Sequence, residues 1–146
     1  MGRKSRTKGK SAEREAVAIL RAAYAGEHGV PAPERLIRRG LQGQGSEAGE
    51  LVPDVIAPGL WVECKRRKQV HPADWVHGLE QAERAARNTG LVPVCWYRSD
   101  RGQWWVAIRA QDFCEMAGAD WPYADKIVHL AGEDFAVVWA SWERGR

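Results

Sequence analysis

The sequence predicts one mixed α/β domain, and three observations carry that prediction. The chain has 146 residues, the length of a single ordinary domain. Apolar residues make up 45% of it, enough for one core but not for two. Segments of helical periodicity alternate with short apolar runs bounded by Gly and Pro, in the order αββαββαβ and without internal repeats.

The first ten residues carry Arg3, Lys4, Arg6, Lys8 and Lys10 and no acid, which predicts a flexible basic arm over 1–10 ahead of one domain over 11–146. A phosphate-contacting arm and a solvated terminus explain this stretch equally well. Ser11 is placed to cap a helix from about Ala12 to about Ala25, ended near Gly26 or Gly29. At about 100° per residue, Ala16, Val17, Leu20 and Tyr24 share one face, and Glu13 falls in the middle of it. A carboxylate centred on an apolar stripe is costly to bury without a partner.

Residues 26–50 are rich in Gly and Pro and read as a loop, with a short strand around Leu36–Arg38. No GK[ST] follows the glycines, so this is not a phosphate loop. Asp54–Ala57 and Leu60–Lys65 are strand-like runs on either side of the turn signal Pro58-Gly59. A two-residue loop pairs Ala57 with Leu60, Ile56 with Trp61 and Val55 with Val62, and sets Asp54 opposite Glu63. Pro-Gly is not the favoured dipeptide for so tight a hairpin, which leaves a one-residue slip open. A helix over His71–Asn88, a hairpin of Leu91–Tyr97 with Gln103–Arg109, a short helix over Gln111–Ala117 and a last strand at about Phe135–Trp142 complete the chain.

Composition excludes several classes of function. With 22 Lys+Arg against 19 Asp+Glu the net charge is +3, too small for a histone-like polycation, so the distribution of charge matters more than its sum. Cys64, Cys95 and Cys114 are widely spaced, form no CxxC pair and follow no signal peptide, which predicts a reduced cytoplasmic protein without a disulfide framework. No apolar stretch approaches the ~20 residues of a membrane span. His28, His71, His77 and His129 show no paired spacing, which argues against a transition-metal site.

The hairpin holds the chemistry. Opposed residues on antiparallel strands lie about 5 Å apart on one face, and residues two apart on a strand share a face. Asp54, Glu63 and Lys65 therefore project together, and two opposed carboxylates call for a compensating hard cation. Mg²⁺, with Mn²⁺ as a substitute, meets that need, and Glu13 is a third carboxylate able to reach the same spot. Such a site supports metal-dependent phosphodiester hydrolysis. Lys65 is placed to orient or help deprotonate the attacking water, or to stabilise charge on phosphorus. Taken alone, PD…ExK is short and degenerate, and a turn aspartate with a solvated edge hairpin would explain it; the centred Glu13 and the basic run Lys65–Lys68 shift the balance toward a site.

The segments KGKSAERE at Lys8–Glu15, PDVIA at Pro53–Ala57 and ECK at Glu63–Lys65 resemble the PD-(D/E)XK nuclease superfamily. More closely they are similar to the archaeal-type Holliday junction resolvases, also found in phages, with the KG-x-x-AERE opening as the specific part. The likeness covers about residues 8–68 well and the later elements only in order. It implies a restriction-endonuclease-like mixed β-sheet flanked by helices, and a metal-dependent homodimer that resolves four-way DNA junctions by paired cuts. It also implies an active site of Glu13, Asp54, Glu63 and Lys65, with Asp54, Glu63 and Glu13 at the metal. A serine before the aspartate is functional in relatives, here most nearly Ser46, although the loop from Gly26 to Val52 is longer than in the family. Gln81 lies on the helix where the superfamily often places a further polar residue; with His77 and Arg84 it also forms a polar helical stripe.

The expected partner is branched double-stranded DNA, held mainly through phosphates by Arg3, Lys4, Arg6, Lys8 and Lys10, by Arg35, Arg38 and Arg39, and by Arg66, Arg67 and Lys68. Trp96, Trp104, Trp105, Trp139 and Trp142 fit core packing first, a dimer interface second and base stacking a distant third. Two other functions stay open from sequence: a PD-(D/E)XK nuclease of restriction, repair or flap type, and a non-catalytic DNA-binding module.

Overall fold

The computed structural model describes residues 3–40 and 51–146. Its elements run α1 (Arg3–His28), β1 (Arg38–Arg39), β2 (Val55–Ala57), β3 (Leu60–Arg67), α2 (Pro72–Ala86), β4 (Val92–Ser99), β5 (Trp105–Arg109), α3 (Ala110–Ala117), β6 (Ile127–Ala131) and α4 (Gly132–Arg144). The strands form one six-stranded sheet in sequence order. Among the described residues β3 and β4, joined through α2, pair parallel, and the other neighbouring pairs are antiparallel. This is the mixed sheet flanked by helices that the sequence predicts.

The two faces of the sheet are used unequally. Leu60, Val62, Val94, Trp96, Val106 and Ile108 turn to one side and bury against Ala12, Ala16 and Leu20 of α1 and Phe135, Ala136 and Trp139 of α4. Trp61 and Cys95, on the alternate positions, meet α2 through Ala82, Ala86 and Leu79. Small residues on α2 allow the close approach. A Cβ on Gly78 would lie 2.5 Å from the Cys95 sulfur, so only glycine fits where the helix crosses β4.

The β2–β3 hairpin adopts the symmetric register, Ala57↔Leu60, Ile56↔Trp61 and Val55↔Val62. Gly59 has φ of 78°, the left-handed backbone that follows Pro in a type II turn. The turn is tied from outside, because the Trp139 indole donates to the Pro58 carbonyl at 2.9 Å and the Val92 amide to Gly59 at 2.8 Å. A dipeptide poorly suited to an isolated hairpin is thus held by its tertiary neighbours.

Three boundaries differ from the sequence reading. The first helix begins at Arg3 instead of after Ser11, so the basic segment is its first turns; Lys, Arg, Ser and Thr all tolerate a helix, which runs through Gly9 and Gly26 to His28. The expected last strand at Phe135–Trp142 is instead the helix α4, and Trp139 and Trp142 lie on it. Its buried residues Phe135, Ala136, Trp139 and Ala140 recur at helical spacing, with Glu133 and Asp134 in the first turn and Arg144 in the last. The β-branched pair Val137-Val138 and the aromatics had favoured a strand, but core packing outweighs that preference. The real last strand is β6, an edge strand paired with β5 from Trp105↔Ala131 to Arg109↔Ile127. Among the described residues no helix is long and apolar enough to cross a membrane.

Candidate active site

Side-chain alternation along β3 sends Trp61, Glu63 and Lys65 toward α2, while the backbone of Asp54 pairs across the hairpin, its amide donating to the Val62 carbonyl at 2.9 Å. The Asp54 carboxylate is fixed by the Cys64 amide, which donates to Oδ2 at 2.8 Å. Glu63 is only 5% exposed, and the Trp61 indole donates to its Oε1 at 3.1 Å. Trp61 and Glu63 stand two apart on one strand, so period-two spacing could have revealed this orienting donor; the sequence reading treated Trp61 only as a paired strand residue.

Asp54 and Glu63 are hydrogen-bonded to each other, which two ionised carboxylates cannot be. Burial, then repulsion from Asp54, pushes the Glu63 carboxyl up from an ordinary 4.5 to about 8. Without a cation, burial and the neighbouring acid thus favour the protonated form of Glu63. Glu13 is also raised, first by burial, against the opposing hydrogen bond from Arg39, with Asp54 near enough to add repulsion. The carboxylate of Glu13 accepts from Arg39 Nε at 2.9 Å, so the inward-facing acid of α1 meets a guanidinium on β1.

Lys65 completes the group from the α2 side. Its Nζ donates to Gln81 Oε1 at 3.1 Å, which anchors the ammonium to α2 across the parallel crossover. His77 and Arg84, the other members of the predicted stripe, are exposed. Asp54, Glu63, Lys65 and Gln81 are thus linked between the hairpin and α2, whereas Glu13 of α1 is held by Arg39 and reaches Asp54 only through electrostatic repulsion.

The donor set suits a hard cation. Mg²⁺ takes one or two protein carboxylates and fills the rest of its sphere with water and substrate phosphate, and Asp54 and Glu63 would give up their shared proton to solvent on holding it. Among the described residues no group of three or more His, Cys, Asp or Glu side chains is gathered as a metal site, in keeping with Glu13 being engaged by Arg39. Cys64, beside Asp54, has its thiol raised well above its usual range by burial. A neutral thiol is a poor nucleophile and a poor ligand.

The predicted phosphate-binding residues divide into two kinds. Lys68 is exposed, Arg38 is half-buried on β1, and Arg35 is exposed in the preceding turn. Arg66 instead donates to Glu15 at 3.3 Å and Asp100 at 3.4 Å, Arg67 faces Asp74 at 3.8 Å, and Arg39 holds Glu13. Glu15 also meets Arg98 at 3.0 Å, so one α1 carboxylate bridges the ends of β3 and β4, a contact the sequence reading missed. Lys10 is exposed on α1 and lies near Glu13, whose carboxyl it helps to hold down. Ser46 and the side chains of Arg3, Lys4, Arg6 and Lys8 lie outside the described residues.

Comparison with known families gives one match: a model described as phage putative PDDEXK endonuclease covers residues 4–143. Searches of the curated proteins and of the solved structures found no match.

Proposed function

The chain belongs to the phage putative PDDEXK endonuclease family, and from that premise we propose that it is a Mg²⁺-dependent, structure-selective DNA endonuclease that acts as a homodimer on four-way junctions. The observation that carries the chemistry is the pairing of buried Glu63 with half-buried Asp54 beside Lys65. On this reading Asp54 and Glu63 are the metal ligands and Glu13 is a third acidic group. When bound, the cation supplies a Lewis acid that polarises a phosphoryl oxygen and acidifies water.

The chain's own residues do the positioning. Trp61 and the Cys64 amide each occupy one carboxylate oxygen, which fixes the direction in which Glu63 and Asp54 present the other. Lys65, aimed by Gln81, either orients and helps deprotonate the water or offsets charge on the five-coordinate phosphorus; in both roles an ammonium fixed in place is needed at the moment of attack. Hydrolysis forms a bond from the water oxygen to phosphorus and breaks the opposite P–O bond, with the proton passing to the leaving oxygen. Because the site handles one strand, resolving a junction by paired cuts needs two copies, and a two-fold dimer supplies them.

The junction as substrate rests on the likeness of Lys8–Glu15 to resolvases, and restriction, repair or flap substrates are the alternative. Cleavage of a mobile four-way junction, a linear duplex and a flap with Mg²⁺ decides among them. Preferential paired nicking of the junction by wild type, abolished in Asp54→Asn, is the expected result. Equal cutting by Asp54→Asn would remove the proposed site, and equal cutting of all three DNAs would remove the junction. Junction binding with no metal-dependent cutting would favour the non-catalytic module.

A further inference from the structure

Beside the candidate active site, on the same face of the sheet, lies a second cleft that the chemistry above leaves unused. It has a volume of about 230 Å³, and its walls include Val70, Trp75, Tyr97, Ser99, Gln103 and Trp105. It is smaller than the ~300 Å³ at which pockets for whole drug-sized ligands begin, so it suits a single ring system. Tyr97 stands directly across the parallel β3–β4 register from Lys65, which puts the cleft one strand away from the proposed site.

The aromatic wall is ordered by its own contacts. Trp75 meets His129 edge-on at 4.4 Å and lies 6.2 Å from Tyr97, and the Tyr97 hydroxyl is 2.7 Å from His129 Nδ1. Burial keeps the tyrosine protonated, raised to about 12, and lowers His129, so at neutral pH the wall carries no charge of its own. The floor is pinned by the Val70 amide, which donates to the Ser99 hydroxyl at 2.9 Å. Trp105 differs from the rest: it is 37% exposed and, among the described residues, its ring has no aromatic partner.

A half-exposed tryptophan face beside a rigid aromatic wall, with the side chains of Ser99 and Gln103 as polar neighbours, matches the two surfaces of a nucleobase, its π-face and its hydrogen-bonding edge. Cations flank the cleft, with Lys68 and Arg101 exposed and Arg67 facing Asp74. Arg67 and Lys68 lead from the active-site strand to the cleft at Val70, and Arg101 is exposed in the β4–β5 turn on its other side. We propose that this cleft takes one unpaired base of the DNA substrate, stacked on Trp105, so that the enzyme selects DNA with single-stranded character next to the cut. The inference rests on the nuclease reading, and it supplies a physical basis for preferring branched over continuous duplex, since a base in intact duplex would first have to be unstacked.

Binding measured in EDTA by fluorescence anisotropy tests it, with a duplex bearing a short single-stranded gap and a fully paired duplex of equal length. Wild type should favour the gapped DNA. Trp105→Leu should lose roughly tenfold of that preference, the order of one stacked base, and Trp105→Phe should keep most of it. An unchanged preference in Trp105→Leu overturns the proposal. Should Trp105→Leu fail to fold, 2-aminopurine placed in the gap gives the answer with wild type alone: its fluorescence should fall on binding, and an unchanged or rising signal overturns the proposal. Cutting of the same DNAs by wild type with Mg²⁺ is scored separately, so that loss of the nuclease reading and loss of the stacking site are told apart.

Discussion

Replacing Glu63 by Gln should stabilise the metal-free protein at alkaline pH, although it removes a residue proposed to be essential for cutting. Glu63 is raised from an ordinary 4.5 to about 8 by burial and by Asp54. The sign follows from linkage. A group whose folded value lies above its unfolded value contributes stability that is fully present below the unfolded value and is lost as pH rises toward the folded one. For Glu63 that window runs from 4.5 to about 8. At ~1.4 kcal/mol per pH unit, the loss by pH 7 is on the order of 3 kcal/mol. Glutamine keeps an oxygen for the Trp61 indole and carries no charge, so it escapes this loss. For a chain of this size each kcal/mol moves the Tm by about 2–4 °C, so Glu63→Gln in EDTA should melt several degrees above wild type at pH 8. The gap should shrink below about 1 kcal/mol near pH 5, only half a unit above the ordinary value of 4.5, because the loss has there only begun. Added Mg²⁺ should raise the Tm of wild type at pH 8 and leave the variant unmoved. Equal or lower stability of Glu63→Gln at pH 8, or an advantage that persists at pH 5, would refute the shared-proton account.

Lys65→Ala should lower kcat by about 10²–10⁴, the range of a lost proton-transfer group. Gln81→Ala, which only releases the ammonium, should lower kcat by about tenfold with KM little changed, in single-turnover assays on the preferred DNA. Trp139→Phe, which removes the donor to the Pro58 carbonyl, should cost roughly 1–3 kcal/mol in urea denaturation and loosen the hairpin that carries Asp54. In DNA binding measured against salt, Lys68→Ala should reduce the slope of log K by about one, whereas Arg66→Ala, already neutralised by Glu15 and Asp100, should leave the slope nearly unchanged.

How far the sequence could be read depended on whether a signal was local. The hairpin register was legible because Pro58-Gly59 and the alternation on either side of it fix pairing over a few residues, and Glu13 was legible because its position on the helical wheel contradicts its charge. The helix α4 was not. Its aromatic and β-branched residues fit either period over so short a stretch, and only the bury of Phe135 and Trp139 against α1 and the sheet decides for a helix. Strand β6 was missed for the related reason that an edge strand of intermediate burial has neither a continuous apolar run nor a clean alternation. Arg39–Glu13 and Glu15–Arg66 join residues from elements far apart in sequence, and charge clusters read along the chain do not reveal which members will find acids in space.

That last point changes the meaning of the near-balance of charge. Runs such as Lys65-Arg66-Arg67-Lys68 look like phosphate binders in sequence, yet strand alternation sends Arg66 toward α1, where Glu15 and Asp100 neutralise it, and leaves Lys68 in solvent. Glu15, shared between Arg66 and Arg98, holds the helix that carries Glu13 against the strands that carry Glu63 and Lys65. Part of the basic charge near the site is therefore structural, and it serves to bring acids together. Two adjoining acids are unfavourable on their own, and the hairpin register, the Trp61 donor and the Cys64 amide hold Glu63 and Asp54 in place despite it. Because the carboxyls must lose their proton to bind a cation, raising the pH should lower the stability of the metal-free fold at this position while strengthening the proposed cation binding, so the two should move in opposite directions with pH.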